Sequence, residues 1–114
     1  MTAPQHRGLS PERWRQYPFS TQVLMIANEM NRASALLAGS AVDQARGCYE
    51  RVLQLTDLTV AAATSARRRE MLRWRDLVAA EFIAPSPDVD AHRRAFRALL
   101  LMTPESAKQV PLLL

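Results

Sequence analysis

Apolar residues recur every three or four positions through two long segments of the chain, which is the spacing of one face of an α-helix. In the first segment, residues 20–39, this face consists of Val23, Ile26, Ala27, Met30, Ala33 and Leu37. In the second, residues 41–63, it consists of Ala45, Cys48, Tyr49, Val52, Leu53, Thr56, Thr59, Val60 and Ala63. The pattern predicts two amphipathic helices that meet at Gly39-Ser40 and supply most of the core.

Two further helices follow from the same spacing. A third helix is predicted over residues 66–83, and it ends before Pro85, because a residue that precedes proline avoids helical geometry. Its apolar face is Met71, Trp74, Leu77, Val78 and Phe82. Ser86-Pro87-Asp88 has the composition of a helix start and predicts a fourth helix. Thr103-Pro104-Glu105 predicts one last helical turn by the same signal.

The boundary between the second and third helices lacks a strong helix breaker, since no Pro or Gly lies between Arg51 and Pro85. A single helix of about 43 residues would be unusually long for a small domain. We therefore expect a break at Thr64-Ser65. Short connections then predict an all-α fold, an antiparallel up-and-down four-helix bundle with a short N-terminal helical turn and a C-terminal turn and tail.

The two ends of the chain are predicted to differ from the bundle. Residues 1–9 are expected to form a disordered tail, and Ser10-Pro11-Glu12 is expected to start a short helix that ends at Pro18. This short helix is predicted to act as a lid that lays Trp14 on the bundle. Residues 10–110 then form one domain, and residues 111–114 form an apolar tail.

Composition limits the class of protein. A chain of 114 residues with 48% hydrophobic residues and three glycines fits one helical domain. Cys48 is the only cysteine, the first residues lack the apolar core of a signal peptide, and no apolar run reaches the roughly 20 residues of a membrane span. The expected location is the cytoplasm, and the expected source is bacterial.

The motifs of common catalytic sites are missing from the sequence. It contains no phosphate-binding glycine loop, no CxxC, no HExxH and no GxSxG. A dyad of Cys48 and His92 would lack a third group, and Asp88 with His92 would supply too few ligands for a metal. We therefore predict a protein that is not an enzyme and that holds no cofactor and no metal.

A basic segment is the most unusual local feature. SARRREMLRWRD holds five arginines against two acids, and its candidate anion or nucleic-acid contacts are Arg67, Arg68, Arg69, Arg73, Arg75 and Trp74. In one interpretation, the arginines bind phosphates and Trp74 stacks on a base. In the other, which we favour, Glu70 and Asp76 form i, i+3 ion pairs with them on a solvated face.

Apolar residues in excess of one core face predict a protein interface. The candidates are Leu24, Met25 and Leu36 on the first long helix and Leu112, Leu113 and Leu114 in the tail. The tail alternatively closes the core of its own bundle. The segment DQARGCYERVLQL resembles the second helix of a tetratricopeptide repeat at Ala45, Tyr49 and Val52, but it occurs once, and we interpret it as ordinary helix packing.

These observations predict a non-enzymatic protein-interaction module, such as an adaptor or a chaperone-like bundle, that forms a homodimer or binds another protein. The alternative is a nucleic-acid-binding accessory protein that uses the basic segment Arg67–Arg75. Membrane binding is not expected.

Overall fold

A computed structural model describes residues 9–114, where seven helices and no strand are found. The helices are α1 (Pro11–Arg15), α2 (Phe19–Ala38), α3 (Val42–Ala62), α4 (Ser65–Ile83), α5 (Val89–Leu100), α6 (Pro104–Ala107) and α7 (Val110–Leu113). The predicted all-α class is confirmed. The predicted tail 1–9 lies outside the described residues except for Leu9, which is partly buried against the core.

The four long helices, α2 to α5, form a closed ring of contacts. Helix α2 packs against α3 and α5, and α4 packs against the same two helices. Of the short helices, α1 lies on α3 and α6 lies on α2. The core is therefore enclosed by α2, α3, α4 and α5, while their antiparallel up-and-down order stays a prediction.

Side-chain caps fix several helix starts. The Ser10 hydroxyl accepts a hydrogen bond from the Arg13 N–H at 3.2 Å, and the Thr103 hydroxyl accepts one from the Ser106 N–H at 3.0 Å, as their sequences predicted. The predicted cap at Ser86 was wrong by two residues. Helix α5 begins at Val89, because the Asp88 carboxylate is its cap and accepts from the Asp90 N–H at 2.9 Å.

Two of the three junctions between long helices lie where the sequence analysis predicted them. Helix α2 ends at Ala38, and the backbone turns through Ser40, whose φ of 61° lies in the left-handed region. The Ala41 N–H then donates to the Leu36 carbonyl at 2.8 Å and closes the helix end. Between α3 and α4, Thr64 is extended with a ψ of 166°, so the predicted break at Thr64-Ser65 is confirmed.

Helix α1 closes one side of the core. Trp14 is fully buried, and its indole N–H donates to the Thr59 hydroxyl of α3 at 2.9 Å. The Gln22 amide of α2 donates to the Trp14 carbonyl at 2.9 Å. The indole thus buries a large apolar surface without leaving its polar atom unbonded, and the prediction of a lid is confirmed.

Candidate functional site

Three of the five arginines in the basic segment bind neighbouring parts of the chain. Arg68 donates to the Val60 and Ala63 carbonyls, both at 3.2 Å, and so satisfies the open end of α3. The Arg67 guanidinium lies 4.3 Å from the centre of the Phe19 ring. Arg75 donates to the Asp57 carboxylate at 2.7 Å. These contacts hold α4 against α2 and α3.

Arg69 and Arg73 are different. Both are exposed, and within residues 9–114 neither forms a hydrogen bond or an ion pair. The i, i+3 ion pairs that we expected with Glu70 and Asp76 do not form in this part of the chain. The two guanidinium groups therefore remain available to an anionic partner.

Trp74 lies in the core and not on the binding surface for which the sequence proposed it. Only 2% of the residue is exposed, and its indole N–H donates to the Ala95 carbonyl of α5 at 2.8 Å. A nucleobase needs an open aromatic face for stacking, and burial by α5 removes that face.

The six candidate interface residues are covered to different extents. Leu24 is partly buried, and so are Met25, Leu36, Leu113 and Leu114, which pack against the core. Leu112 is 74% exposed and is the only one of the six that faces mainly solvent. The tail therefore closes part of its own core, as our alternative interpretation had it, and leaves one leucine outside.

An open apolar surface lies between α4 and α5. A groove of about 380 Å³ runs there, and we call it the α4–α5 groove; its apolar lining is Trp74, Leu77, Ala98, Leu101 and Met102. Glu70 and Arg73 lie at its edge. Leu77 is 50% exposed and Leu101 is 56% exposed, so two large apolar side chains border the groove without being covered.

Sequence reasoning missed this groove. Leu77 was assigned to the buried face of its helix, but the buried residues of α4 are Met71, Trp74 and Val78, and Leu77 lies at their border. Leu101 was not singled out. A signal did exist, because Ala98 and Leu101 follow Arg94 at the i+4 and i+7 positions, which places apolar residues on the charged face of α5.

His92 is a buried structural group. Its Nδ1 lies 2.9 Å from the Tyr49 hydroxyl and its Nε2 lies 2.8 Å from the Ser34 hydroxyl, so both ring nitrogens have partners. Burial lowers the pKa of His92, and the nearby Arg93 charge lowers it further. Burial likewise raises the pKa of Tyr49. The ring therefore bridges α2, α3 and α5 and takes up a proton less readily than an exposed histidine does.

Cys48 is also engaged away from His92. Its sulfur accepts from the Arg51 guanidinium at 3.2 Å, and burial raises the pKa of its thiol. Arg51 in turn donates to the Glu29 carboxylate at 2.9 Å. Among residues 9–114, no three His, Cys, Asp or Glu side chains lie close enough together to hold a metal ion.

Comparisons with known proteins do not assign a family to this chain. No protein-family model, curated protein or solved structure matches the chain. In the described part of the chain, no helix has both the length and the apolar character that crossing a membrane requires. The α4–α5 groove and the two arginines without partners are the features on which a functional proposal can rest.

Proposed function

We propose that this protein is a cytoplasmic, non-enzymatic interaction module, acting as an adaptor or in a chaperone-like way, and that it binds a protein through the α4–α5 groove. The observation that supports the proposal is the pair of half-exposed leucines, Leu77 and Leu101, at the two sides of an apolar groove. Exposure of apolar surface to water is unfavourable, so a partner that covers both side chains would stabilise the complex.

The test compares a variant with two added charges in the groove and a variant with one added charge outside it. Leu77→Asp with Leu101→Asp puts charges in the groove, whereas Leu72→Asp puts one on an exposed part of α4 that does not line it. We expect proteins retained from a host lysate by the wild type and Leu72→Asp to be lost with the double variant. Identical retention by all three, with unchanged circular dichroism, would refute the proposal.

Self-association is the second part of the proposal. Leu112 is 74% exposed, and we assign it, together with the partly exposed Leu24 and Leu36, to contacts in a homodimer. Light scattering after size exclusion measures the mass directly. We expect a dimer that Leu112→Asp weakens, and a monomer in both proteins would remove this part alone.

Nucleic-acid binding remains the alternative, and the free guanidinium groups of Arg69 and Arg73 support it. Binding to phosphates by arginines weakens steeply with salt, whereas apolar binding hardly responds. A labelled single-stranded oligonucleotide that binds at low salt, and that Arg69→Gln with Arg73→Gln releases, would make this alternative the leading one. Binding that both substitutions leave unchanged would exclude it for these residues.

A further inference from the structure

We infer that the α4–α5 groove takes a helix from a different protein, with two apolar residues one turn apart and acidic residues beside them. This inference rests on the proposed function and adds the chemical class of the partner. It follows from the length of the groove, its shape, and the charges along its two edges.

The groove has the length of a short helical segment. The Trp74 indole of α4 bonds the Ala95 carbonyl of α5, and Glu70 and Met102 both line the same groove. An earlier residue of α4 thus lies beside a later residue near α5, so the two helices run in opposite directions. The edge from Glu70 to Leu77 spans seven residues, or about 10 Å at the helical rise of about 1.5 Å per residue. That length accommodates two turns of a bound helix, which is room enough for two side chains at i and i+4, about 6 Å apart along the axis.

The lining of the groove has the shape of a receptor for such side chains. Leu77 lies on α4, Leu101 directly follows the end of α5, and the small Ala98 lies in the lining with them. A small residue beside two large ones leaves a depression into which an apolar side chain can insert, as in helix packing of ridges into grooves. The buried Trp74 supplies the apolar floor.

The charges at the edges select the partner. Arg73 lies at the edge on α4, Arg69 lies one turn before it, and Arg94 lies one turn before Ala98 on α5. Among residues 9–114 none of these three arginines has a hydrogen bond or an ion pair, and Glu70 is the only acid in the lining. A helix with acidic residues on both sides of its apolar stripe therefore meets complementary charge.

The same charges disfavour two other occupants. A second copy docked groove to groove would bring these arginines against one another, in a chain whose net charge is already +4. A nucleic acid would meet the arginines but would find an apolar lining and a Trp74 ring that is covered by α5. An acidic amphipathic helix satisfies both the lining and the edges.

The probe is a phage-displayed library of helical peptides of about 18 residues, a length at which an isolated helix is stable enough to bind. The library fixes two leucines one turn apart and randomises the positions around them. Selection uses the full wild-type protein, and peptides that also bind Leu77→Ser with Leu101→Ser, which removes the apolar side chains without adding charge, are discarded. We expect the retained peptides to carry more Asp and Glu than Lys and Arg beside the leucines.

A synthetic peptide of the most enriched sequence then tests each contact by fluorescence anisotropy. Leu77→Ser with Leu101→Ser should weaken its binding about tenfold or more, as expected for a central apolar anchor. Arg73→Glu should weaken it several-fold at low salt, while Arg15→Glu, which makes the same change of charge on α1, should not. A peptide with Lys in place of Glu should recover binding to Arg73→Glu.

The outcomes separate this inference from the function on which it rests. Retained peptides without an acidic excess, no retained peptide at all, or equal effects of Arg73→Glu and Arg15→Glu would overturn the acidic partner. If lysate proteins are nevertheless lost with Leu77→Asp and Leu101→Asp, the proposal that the groove binds a protein stands. A dimer that dissociates when Leu77→Asp is combined with Leu101→Asp would show a second copy as the occupant and would overturn the inference as well.

Discussion

Helices α3 and α4 are consecutive and similar in length, with 21 and 19 residues, yet they are buried very differently. Helix α3 buries seven residues and contacts α1, α2 and α4, whereas α4 buries three and contacts α3 and α5. The inward side of α3 is therefore fully engaged inside the molecule. The outward side of α4 is left open to solvent and to a partner.

The polar groups of the two helices repeat this difference. On α3, Tyr49, Arg51 and Thr59 each bond a side chain of another helix. On α4, Arg69 and Arg73 have no such partner within residues 9–114. A substitution that reaches the contacts of α3 should therefore cost stability, and a substitution on the outer side of α4 should cost binding while leaving stability nearly unchanged.

The largest effect is expected where α1 meets α3. Trp14→Ala should lower the free energy of unfolding by about 3–5 kcal/mol, because it leaves a cavity and removes the bond to the Thr59 hydroxyl. Trp14→Phe should cost less, since the ring is kept. Urea denaturation followed by circular dichroism measures both. A loss for Trp14→Ala no larger than that for Leu72→Ala on α4 would abolish the contrast between the two helices.

The contrast explains which parts of the fold could be predicted. Helix positions, the break at Thr64-Ser65 and the lid role of Trp14 depend on local spacing, caps and breakers, and these signals are present in the sequence. The cap at Asp88 was missed because the Glu81 carboxylate, seven residues earlier, accepts its N–H at 2.9 Å and helps set where α5 begins. That contact depends on the path of the chain between two helices.

The candidate site was harder to predict for the same physical reason. His92 bonds Ser34, which is 58 residues away in the chain, and periodicity does not specify which helices become neighbours. Leu77 lies at the border of the apolar face of α4, so its exposure depends on how closely α5 approaches. Trp74 was placed correctly on the apolar face, but its use as a stacking surface required knowing that Ala95 covers it.

A smaller effect on stability should come from the titration of His92, which bonds the Tyr49 hydroxyl of α3. Burial lowers the pKa of His92 in the folded protein, so as pH falls through about 6.5 the unfolded chain takes up a proton that the folded protein does not. Stability contributed by neutral His92 is then present above that pH and lost below it, by up to about 1.4 kcal/mol per pH unit. Urea denaturation between about pH 7.5 and about pH 5.5 measures the loss.

His92→Gln is the control for this pH dependence. Glutamine keeps polar atoms near Tyr49 and Ser34 but does not titrate, so the variant should be less stable at neutral pH and flatter across the same range. Subtracting the two curves isolates His92 from other titrating groups. Parallel curves for wild type and variant would show that His92 is not held neutral by its surroundings.

The smallest effect on stability is expected in α4, where substitutions of the adjacent Arg68 and Arg69 can be compared. Arg68→Gln should lower the free energy of unfolding by about 0.5–1 kcal/mol, because the Val60 and Ala63 carbonyls at the end of α3 lose their donor. Arg69→Gln removes the same charge from the next position and should change stability by less than about 0.5 kcal/mol. The two variants have equal net charge, so a difference between their urea midpoints reports the cap alone. Equal midpoints would mean that water replaces the Arg68 guanidinium at the end of α3 without loss of stability.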